Sequence, residues 1–240
     1  RQPLAIARQR PDIAHIHSPY PLGEAATWLL GRARATVTTH HSDVVRQQGW
    51  LRLYGPLFRR VLRSVDRIIA TSPRYIETSP WLGPVRDKCT VVPLAVDVRR
   101  FTPPATPPGR RAGRQATLLL VGRLRYYKGL NALLRALVDL PDLHLDVVGD
   151  GPMQTPWKAL ALELGVADRV TFYGRVGDAD LKVLYLFADI LQLPANARSE
   201  AFGMVLLEAM ACGLPCINTE VGSGTSWVVQ DGVTGLVVPP

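Results

Sequence analysis

Four charged residues have types and spacings that could do chemistry together. Arg123 and Lys128 follow Gly122 within one short stretch, VGRLRYYKGL (121–130), and Glu200 and Glu208 bracket seven mostly apolar residues in SEAFGMVLLEAMACGLP (199–215). Two cations in the loop that leaves the carboxyl end of a strand suit a diphosphate, because open α/β sheets bind ligands at that edge. The spacing is not a Walker A motif, since the G-K-[ST] ending is absent. Standing alone, the same loop also reads as a solvated basic turn before a helix. The glutamates make a poor acid/base pair: on one continuous helix they would lie roughly 80° apart around the axis and about 12 Å apart along it. A better arrangement puts Glu200 in a loop after a strand at 190–194 and starts the helix near Gly203, where glycine admits close backbone approach. The first turn of that helix has free N–H groups, which with the helix dipole can hold a diphosphate. A ligand with a central diphosphate then meets Glu200 at one end and Glu208 at the other, and a carboxylate accepts hydrogen bonds from paired hydroxyls such as those of a ribose. The ligand so described has the outline of a nucleotide sugar. In an arbitrary sequence two glutamates at this spacing are only a loop charge and a solvent-facing helix residue, so the surroundings decide.

Those surroundings alternate between strand and helix. Strand-like runs are expected at 12–17, 35–39, 67–72 and 89–96, separated by longer helical stretches, which argues for parallel α/β units. In FTPPATPPGRRAGRQ (101–115) the prolines Pro103, Pro104, Pro107 and Pro108 can propagate neither a helix nor a central strand, so this segment reads as a linker. Beyond it, strands at 116–122, 144–149, 170–174, 190–194 and 215–219 alternate with helices at about 129–139, 156–164, 179–188 and 203–212. The expected architecture is two Rossmann-like domains, 1–100 and 116–240, facing a cleft where the ligand binds.

With 240 residues, 47 % of them hydrophobic, the chain can build one large core or two smaller ones. Its 28 basic and 20 acidic side chains give a net charge of +8, which favours an anionic partner: phosphates, nucleic acid or an anionic membrane surface. No nucleic-acid recognition motif accompanies that charge. Cys89, Cys212 and Cys216 form neither a disulfide framework nor a zinc pattern, which favours a reducing compartment. No apolar run reaches the roughly 18 residues of a membrane span, and no signal-peptide pattern opens the chain, which begins at Arg1 without an initiating Met. VVGDGP (147–152) lacks the G-x-G-x-x-G spacing of a dehydrogenase and is expected to end a strand. Cys212 and Cys216 are expected to be small buried residues, and His144 a structural one. His15 and His17 alternate with Ala14 and Ile16 along a strand that leads towards the cleft.

Five motifs, in order, resemble the GT-B glycosyltransferases of family 4, retaining enzymes that use nucleotide-sugar donors: VGRLRYYKGL, VVGDGP, VTFYGRV (170–176), SEAFGMVLLEAMACGLP and DGVTGLVVPP (231–240). The resemblance implies that Arg123 and Lys128 grip the donor diphosphate, Glu200 faces the donor sugar and Glu208 binds the ribose. It also implies that the backbone at Phe202, Gly203 and Met204 lines the sugar and phosphates, that Arg175 and Val176 border the base, and that neither a metal nor another cofactor is needed. In the first half, VTTHHSDVVRQQGWLRLYGPLFRRVLRSVDRIIATSPRYIETSPWL (37–82) is similar to a subgroup that acts in bacterial exopolysaccharide and O-antigen assembly. His41 matches the family's histidine near the reacting sugar, and His40 stands where an aromatic residue is usual; two adjacent histidines can also be a polar surface pair. The nearest resemblance is to GDP-mannose-dependent α-mannosyltransferases that extend a lipid-linked glycan. That implies GDP-mannose as donor, a polyprenyl-diphosphate-linked acceptor and a place in the cytoplasm, at the inner face of the plasma membrane. Two other readings stand beside it, a UDP-sugar-dependent transferase and a non-catalytic nucleotide-sugar-binding module.

A helix expected from Trp50 to Ile69 mixes Arg52, Arg59, Arg60, Arg63 and Arg67 with aromatic and aliphatic residues, as an anionic lipid interface would favour. The same pattern also fits a core-facing apolar stripe with a solvated basic face. Relative to the family both domains are expected to be truncated, the first lacking initial strands with a glycine-rich loop and the second lacking its last helices. The family's P-L-G-[IV]-D turn carries Ala95 in place of the glycine.

Overall fold

The computed structural model describes residues 8, 10–45, 48–103 and 116–240. Four runs rich in Ile, Val and Thr pair in parallel in the order β1-β2-β3-β4: β1 (Ile13–Ser18), β2 (Ala35–His40), β3 (Arg67–Ala70) and β4 (Cys89–Val91). The helices α1 (Pro21–Leu30), α2 (Gln48–Ser64) and α3 (Pro73–Thr78) supply the crossovers that parallel strands require. α3 starts where it does because Ser72 caps it, accepting a hydrogen bond from the Tyr75 N–H, with proline in the first turn. Phe58, Val61 and Leu62 of α2 pack with Ile68, Ala70, Tyr75, Leu82 and Val85 to form this sheet's core.

A second parallel sheet follows in the order β10-β9-β8-β5-β6-β7, built from β5 (Ala116–Val121), β6 (Leu143–Val148), β7 (Val170–Gly174), β8 (Ile190–Leu193), β9 (Cys216–Thr219) and β10 (Gly235–Val238). Its helices are α4 (Val98–Phe101), α5 (Leu130–Ala136), α6 (Gln154–Glu163), α7 (Asp178–Phe187), α8 (Met204–Ala211) and α9 (Thr225–Val228). In β5 the alternation of the strand sends Leu118 and Leu120 to one core, with Leu134 and Trp157, and Leu119 and Val121 to another, with Tyr185 and Leu206. Both faces are covered, which is why β5 reads as a continuous apolar run. The winding reverses between β5 and β8, so the loops leaving these two strands diverge at their carboxyl ends and open a crevice.

The helix expected to reach Ile69 is two elements. α2 ends at Ser64, whose hydroxyl donates to the Val61 carbonyl, and the Asp66 carboxylate then accepts from the Thr36 N–H at 2.7 Å, drawing the chain into the sheet as β3. The strand expected at 89–96 stops at Val91, ahead of Pro93, which has no N–H for a ladder. β10 was not among the expected elements, whereas α1 fills the helical stretch expected between the first two strands. Residues 104–115 of the expected linker lie outside the described residues. Among the described residues no non-glycine has a positive φ, so the turn at Ala95 does not need the glycine usual there.

Candidate active site

The crevice at the winding reversal is bounded by two loops, 122–129 after β5 and 194–203 after β8. Lys128 ends a single 3-10 turn, Tyr126–Lys128, and is buried, 6 % exposed. Its Nζ lies 2.7 Å from Glu200 Oε2. A Cβ at Gly122 (φ +139°) would stand 2.9 Å from that Nζ, so only glycine lets the lysine fold back over the strand end. The two loops are stapled by the Asn196 N–H donating to the Tyr127 carbonyl at 3.0 Å. Glu200 sits in the loop, and α8 starts at Met204 with Gly203 (φ +81°, ψ +61°) as its N-cap residue and no side-chain cap. The first N–H groups of α8 are therefore open to an anion.

Glu208 lies one turn into α8. The fully buried Tyr185 of α7 donates its hydroxyl to Glu208 Oε2 at 2.7 Å, leaving the other oxygen without a partner among the described residues. Burial pushes the Glu208 carboxyl above the usual range, against the lowering effect of the Tyr185 bond. Burial and then the Glu208 charge push the Tyr185 phenol up as well, so it remains a donor. Arg123 is exposed at the crevice mouth. Arg175, just after β7, pairs with Asp150 at 2.9 Å on the rim, while Val176 packs into the Leu119 core. The Phe202 side chain is buried, 6.2 Å from the Trp227 ring, so at Phe202, Gly203 and Met204 it is the backbone that can meet a ligand.

Across the seam between the sheets, the carboxyl edge of the first sheet carries histidines. His41 is exposed; its N–H donates to the Ser18 carbonyl at 2.9 Å, and its Nε2 lies 2.8 Å from His17 Nδ1, with His15 stacked on His17 at 4.7 Å. Partial shielding of the ring, then the nearby His17, His40 and His15, lower the pKa of His41, which favours its neutral imidazole. His40 is not half of a surface pair. It is buried, with Nε2 3.0 Å from Asp43 Oδ1 and its ring 5.8 Å from those of Phe58 and Tyr75.

Sequence reasoning missed three residues here: Tyr185, Asp43 and Arg198. Asp43 is the aspartate of the HSD triplet, and Arg198 stands one residue before the SEAFG stretch; both were in view, but nothing local marks them as partners. Asp43 Oδ1 also accepts from Ser79 Oγ at 2.8 Å, and Oδ2 accepts from Arg198 Nε at 3.1 Å. Burial alone would raise the Asp43 carboxyl, but the bonds from His40 and Ser79 and the Arg198 charge outweigh it and hold it below the usual range. Burial pushes the Cys216 thiol up to about 12 and, with the Asp87 charge, the Cys89 thiol up to about 11, leaving no thiolate for chemistry. Cys212 is likewise buried, and His144 bonds Thr171 at 2.9 Å, a structural role. Among the described residues no group of three or more His, Cys, Asp or Glu is placed to hold a metal ion, and no helix is long and apolar enough to cross a membrane.

Two parallel Rossmann-like sheets meeting at a seam, with the crevice of the second at its winding reversal, define a GT-B glycosyltransferase fold. Residues 106–240 match the family described as Glycosyl transferases group 1 and residues 2–100 match Glycosyltransferase Family 4, and the chain belongs to this family of glycosyltransferases. It is 42 % identical over 232 residues to D-rhamnosyltransferase WbpZ of Pseudomonas aeruginosa, covering 95 % of this chain and 60 % of that protein. It is 36 % identical to O-antigen chain mannosyltransferase C of Escherichia coli, covering 95 % of this chain and 62 % of that protein. Among solved structures it is similar to sucrose-phosphate synthase from Thermosynechococcus elongatus, with a TM-score of 0.78 and 26 % identity over 95 % of this chain and 61 % of that one. The chain thus spans about 60 % of the length of the relatives it matches.

The raised Glu208 pKa generates a stability prediction. The folded chain holds that proton more tightly than the unfolded one, so stability falls as pH rises from the unfolded value of about 4.3 through the folded value and stays lower above it. Glu208→Gln removes this loss. By scanning calorimetry the variant melts at or above the parent's temperature at pH 7, with any gain disappearing below about pH 4; a clear drop in Tm at pH 7 would contradict the assignment.

Proposed function

We propose that the protein transfers a manno-configured hexose from a nucleotide-diphosphate sugar to a lipid-linked glycan, with retention at the anomeric carbon and without a metal. The observation that carries this reading is the buried Lys128–Glu200 pair beside the uncapped start of α8: a cation, a carboxylate and open N–H groups in one crevice. The diphosphate lies on the start of α8 near Lys128 and Arg123, which stabilise the charge that grows on it as the sugar leaves. Glu200 and His41 meet the sugar, the backbone at Phe202, Gly203 and Met204 lines sugar and phosphates, Glu208 accepts from the ribose hydroxyls, and the loop at Arg175 and Val176 borders the base. The acceptor hydroxyl attacks from the face the nucleotide leaves, with a donor phosphate oxygen taking its proton. Residues 1–100 form the acceptor-side domain and 116–240 the donor domain, joined through 101–115.

The sugar assignment rests on the relatives' names, a rhamnosyltransferase and a mannosyltransferase. D-Rhamnose is mannose without the O6 hydroxyl, so both sugars have the same ring configuration. Guanine as the base and a polyprenyl diphosphate as the acceptor anchor rest on the resemblance of the HHSDVVRQ region. A thermal-shift panel of GDP, UDP and ADP with their sugars tests the donor: the largest stabilisation is expected from GDP and GDP-mannose, and a larger one from UDP would replace guanine with uracil.

The ion pair dictates how the catalytic lysine is tested. Lys128→Ala alone would strand a mostly buried carboxylate at a cost of about 3 kcal/mol, mixing stability with catalysis. Lys128→Met combined with Glu200→Gln removes both charges while keeping volume. The double variant is expected to melt near the parent's temperature yet to transfer sugar at least about 100-fold more slowly, as loss of a charge-stabilising donor implies. Near-parental turnover would sink the assignment.

We also propose contact with an anionic membrane surface, on the inner face of the plasma membrane. Arg52, Arg59, Arg60 and Arg63 lie exposed along α2 with Leu53, which is 76 % exposed, whereas Phe58, Val61 and Leu62 belong to the core. Arg59 lies over Trp81 and Arg60 over Trp28, at 5.1 and 5.7 Å from the ring centroids. Sedimentation with phosphatidylglycerol vesicles at low salt checks this: Arg59→Glu with Arg63→Glu should abolish binding, and equal binding to neutral vesicles would refute it.

A further inference from the structure

Glu200 and His41 stand on opposite sides of the seam, and neither sheet's ladder sets the distance between them. The contacts that do so converge on two side chains. Asp43 lies two residues after His41, and Arg198 lies two residues before Glu200. Asp43 is held on its own side by His40 Nε2 at 3.0 Å, by Ser79 Oγ at 2.8 Å and through its own N–H to the Tyr75 hydroxyl at 2.5 Å. Its remaining oxygen receives Arg198 Nε at 3.1 Å from the other sheet's loop. The Arg198 guanidinium lies over the Tyr75 ring at 4.9 Å, and its Nη1 donates to the Gly222 carbonyl, which Thr78 Oγ1 also bonds at 2.5 Å. Another charged contact in this part of the seam, Arg74 with Glu220 at 3.6 Å, is substantially exposed, whereas Asp43 is buried.

We propose that Asp43 and Arg198 are a positioning pair for sugar transfer: a shielded ion pair that holds the loop carrying Glu200 at a fixed place relative to the loop carrying His41. Neither residue touches the reacting atoms. A planar guanidinium suits the task, because it bonds a carboxylate and a carbonyl at once while stacking on an aromatic ring, which an ammonium cannot do. Loss of either partner leaves both active-site loops folded but loosens them against each other, and misplacement by an ångström is enough to slow a reaction about 100-fold.

The role in transfer rests on the function proposed above; the coupling of the loops does not, and the experiment separates the two. Asp43→Asn, Arg198→Gln and the double variant are made in the full-length protein. Amide hydrogen exchange is followed in residues 41–45 and 196–202, alongside GDP affinity and, with GDP-mannose, kcat and KM. Each single variant is expected to speed exchange in both loops, its own and the one across the seam. Affinity for GDP should stay within about threefold, kcat should fall about 10- to 100-fold with little change in donor KM, and the double variant should be no slower than the slower single. Faster exchange in the mutated loop alone overturns the proposal, as do single-variant effects on kcat that multiply in the double. A parent that transfers no sugar argues against the proposed activity, and the exchange data then decide the pair by themselves. If Asp43→Asn fails to fold, having lost a buried hub, Arg198→Gln decides instead, since its side chain is 22 % exposed.

Discussion

A buried lysine is the constraint on which the candidate site depends. Taking an ammonium out of water costs several kcal/mol unless a counter-charge comes with it, and the counter-charge for Lys128 arrives from the far side of the winding reversal, on the loop after β8. The pair can therefore form only when β5 and β8 lie side by side, so the site is assembled by the sheet itself. The local chemistry follows from the same constraint. Gly122 is needed because the lysine crosses the strand end where a Cβ would stand, and the 194–203 loop lies against the 122–129 loop through the Asn196–Tyr127 hydrogen bond. In the proposed reaction a diphosphate offers Lys128 the charge that Glu200 supplies in this structure. Donor arrival then exchanges one partner for another and releases the carboxylate towards the sugar.

Other groups in the site are held in states that favour ligand binding over stability. Glu208 sits in surroundings that disfavour its charge and raise its pKa, steadied by one phenol hydroxyl. The pKa of His41 is lowered beside three other imidazoles. α8 begins without a side-chain cap, at a glycine whose φ of +81° and close contact with Leu206 a serine or aspartate would meet only with strain. Strain and open valences of this kind are expected where a ligand completes the hydrogen bonding.

Much of the second sheet was legible in the sequence because β5 is buried on both faces and reads as an unbroken apolar run, and β5, β6 and β7 each run out at a glycine. The start of α8 was legible for a geometric reason: a helix advances 100° per residue, so Glu200 and Glu208 could not both serve one ligand from a single continuous helix. The end of α2 was not legible, since Val65 and Ile68 continue the apolar pattern, and only the bonding of Asp66 to Thr36 turns the chain into a strand. Tyr185 looked like another core residue of an apolar helix; its hydroxyl matters only because the shared core brings it to Glu208 of α8. The Asp43–Arg198 pair joins residues 155 positions apart, and no spacing rule reaches that far. The histidine pair divided for the same kind of reason, with successive residues at the end of β2 facing a core on one side and the crevice on the other.

Among the described residues the seam carries charges, hydroxyls and a carbonyl, with Ala201 of the second half packed on the first sheet's core. Contacts of this polar kind allow relative motion of domains, whereas a large apolar interface would fix them. The 194–203 loop is the element through which such motion would reach the chemistry. It holds Glu200 against Lys128 and, two residues earlier, Arg198 against Asp43, so its backbone is tied at once to the crevice of one sheet and to the histidine edge of the other. In the proposed reaction, anything that draws Glu200 away from Lys128 also pulls on the segment that carries Arg198. Donor binding and the placement of His41 are then linked through a few bonds of one loop, and both ends of that link are ion pairs shielded from solvent.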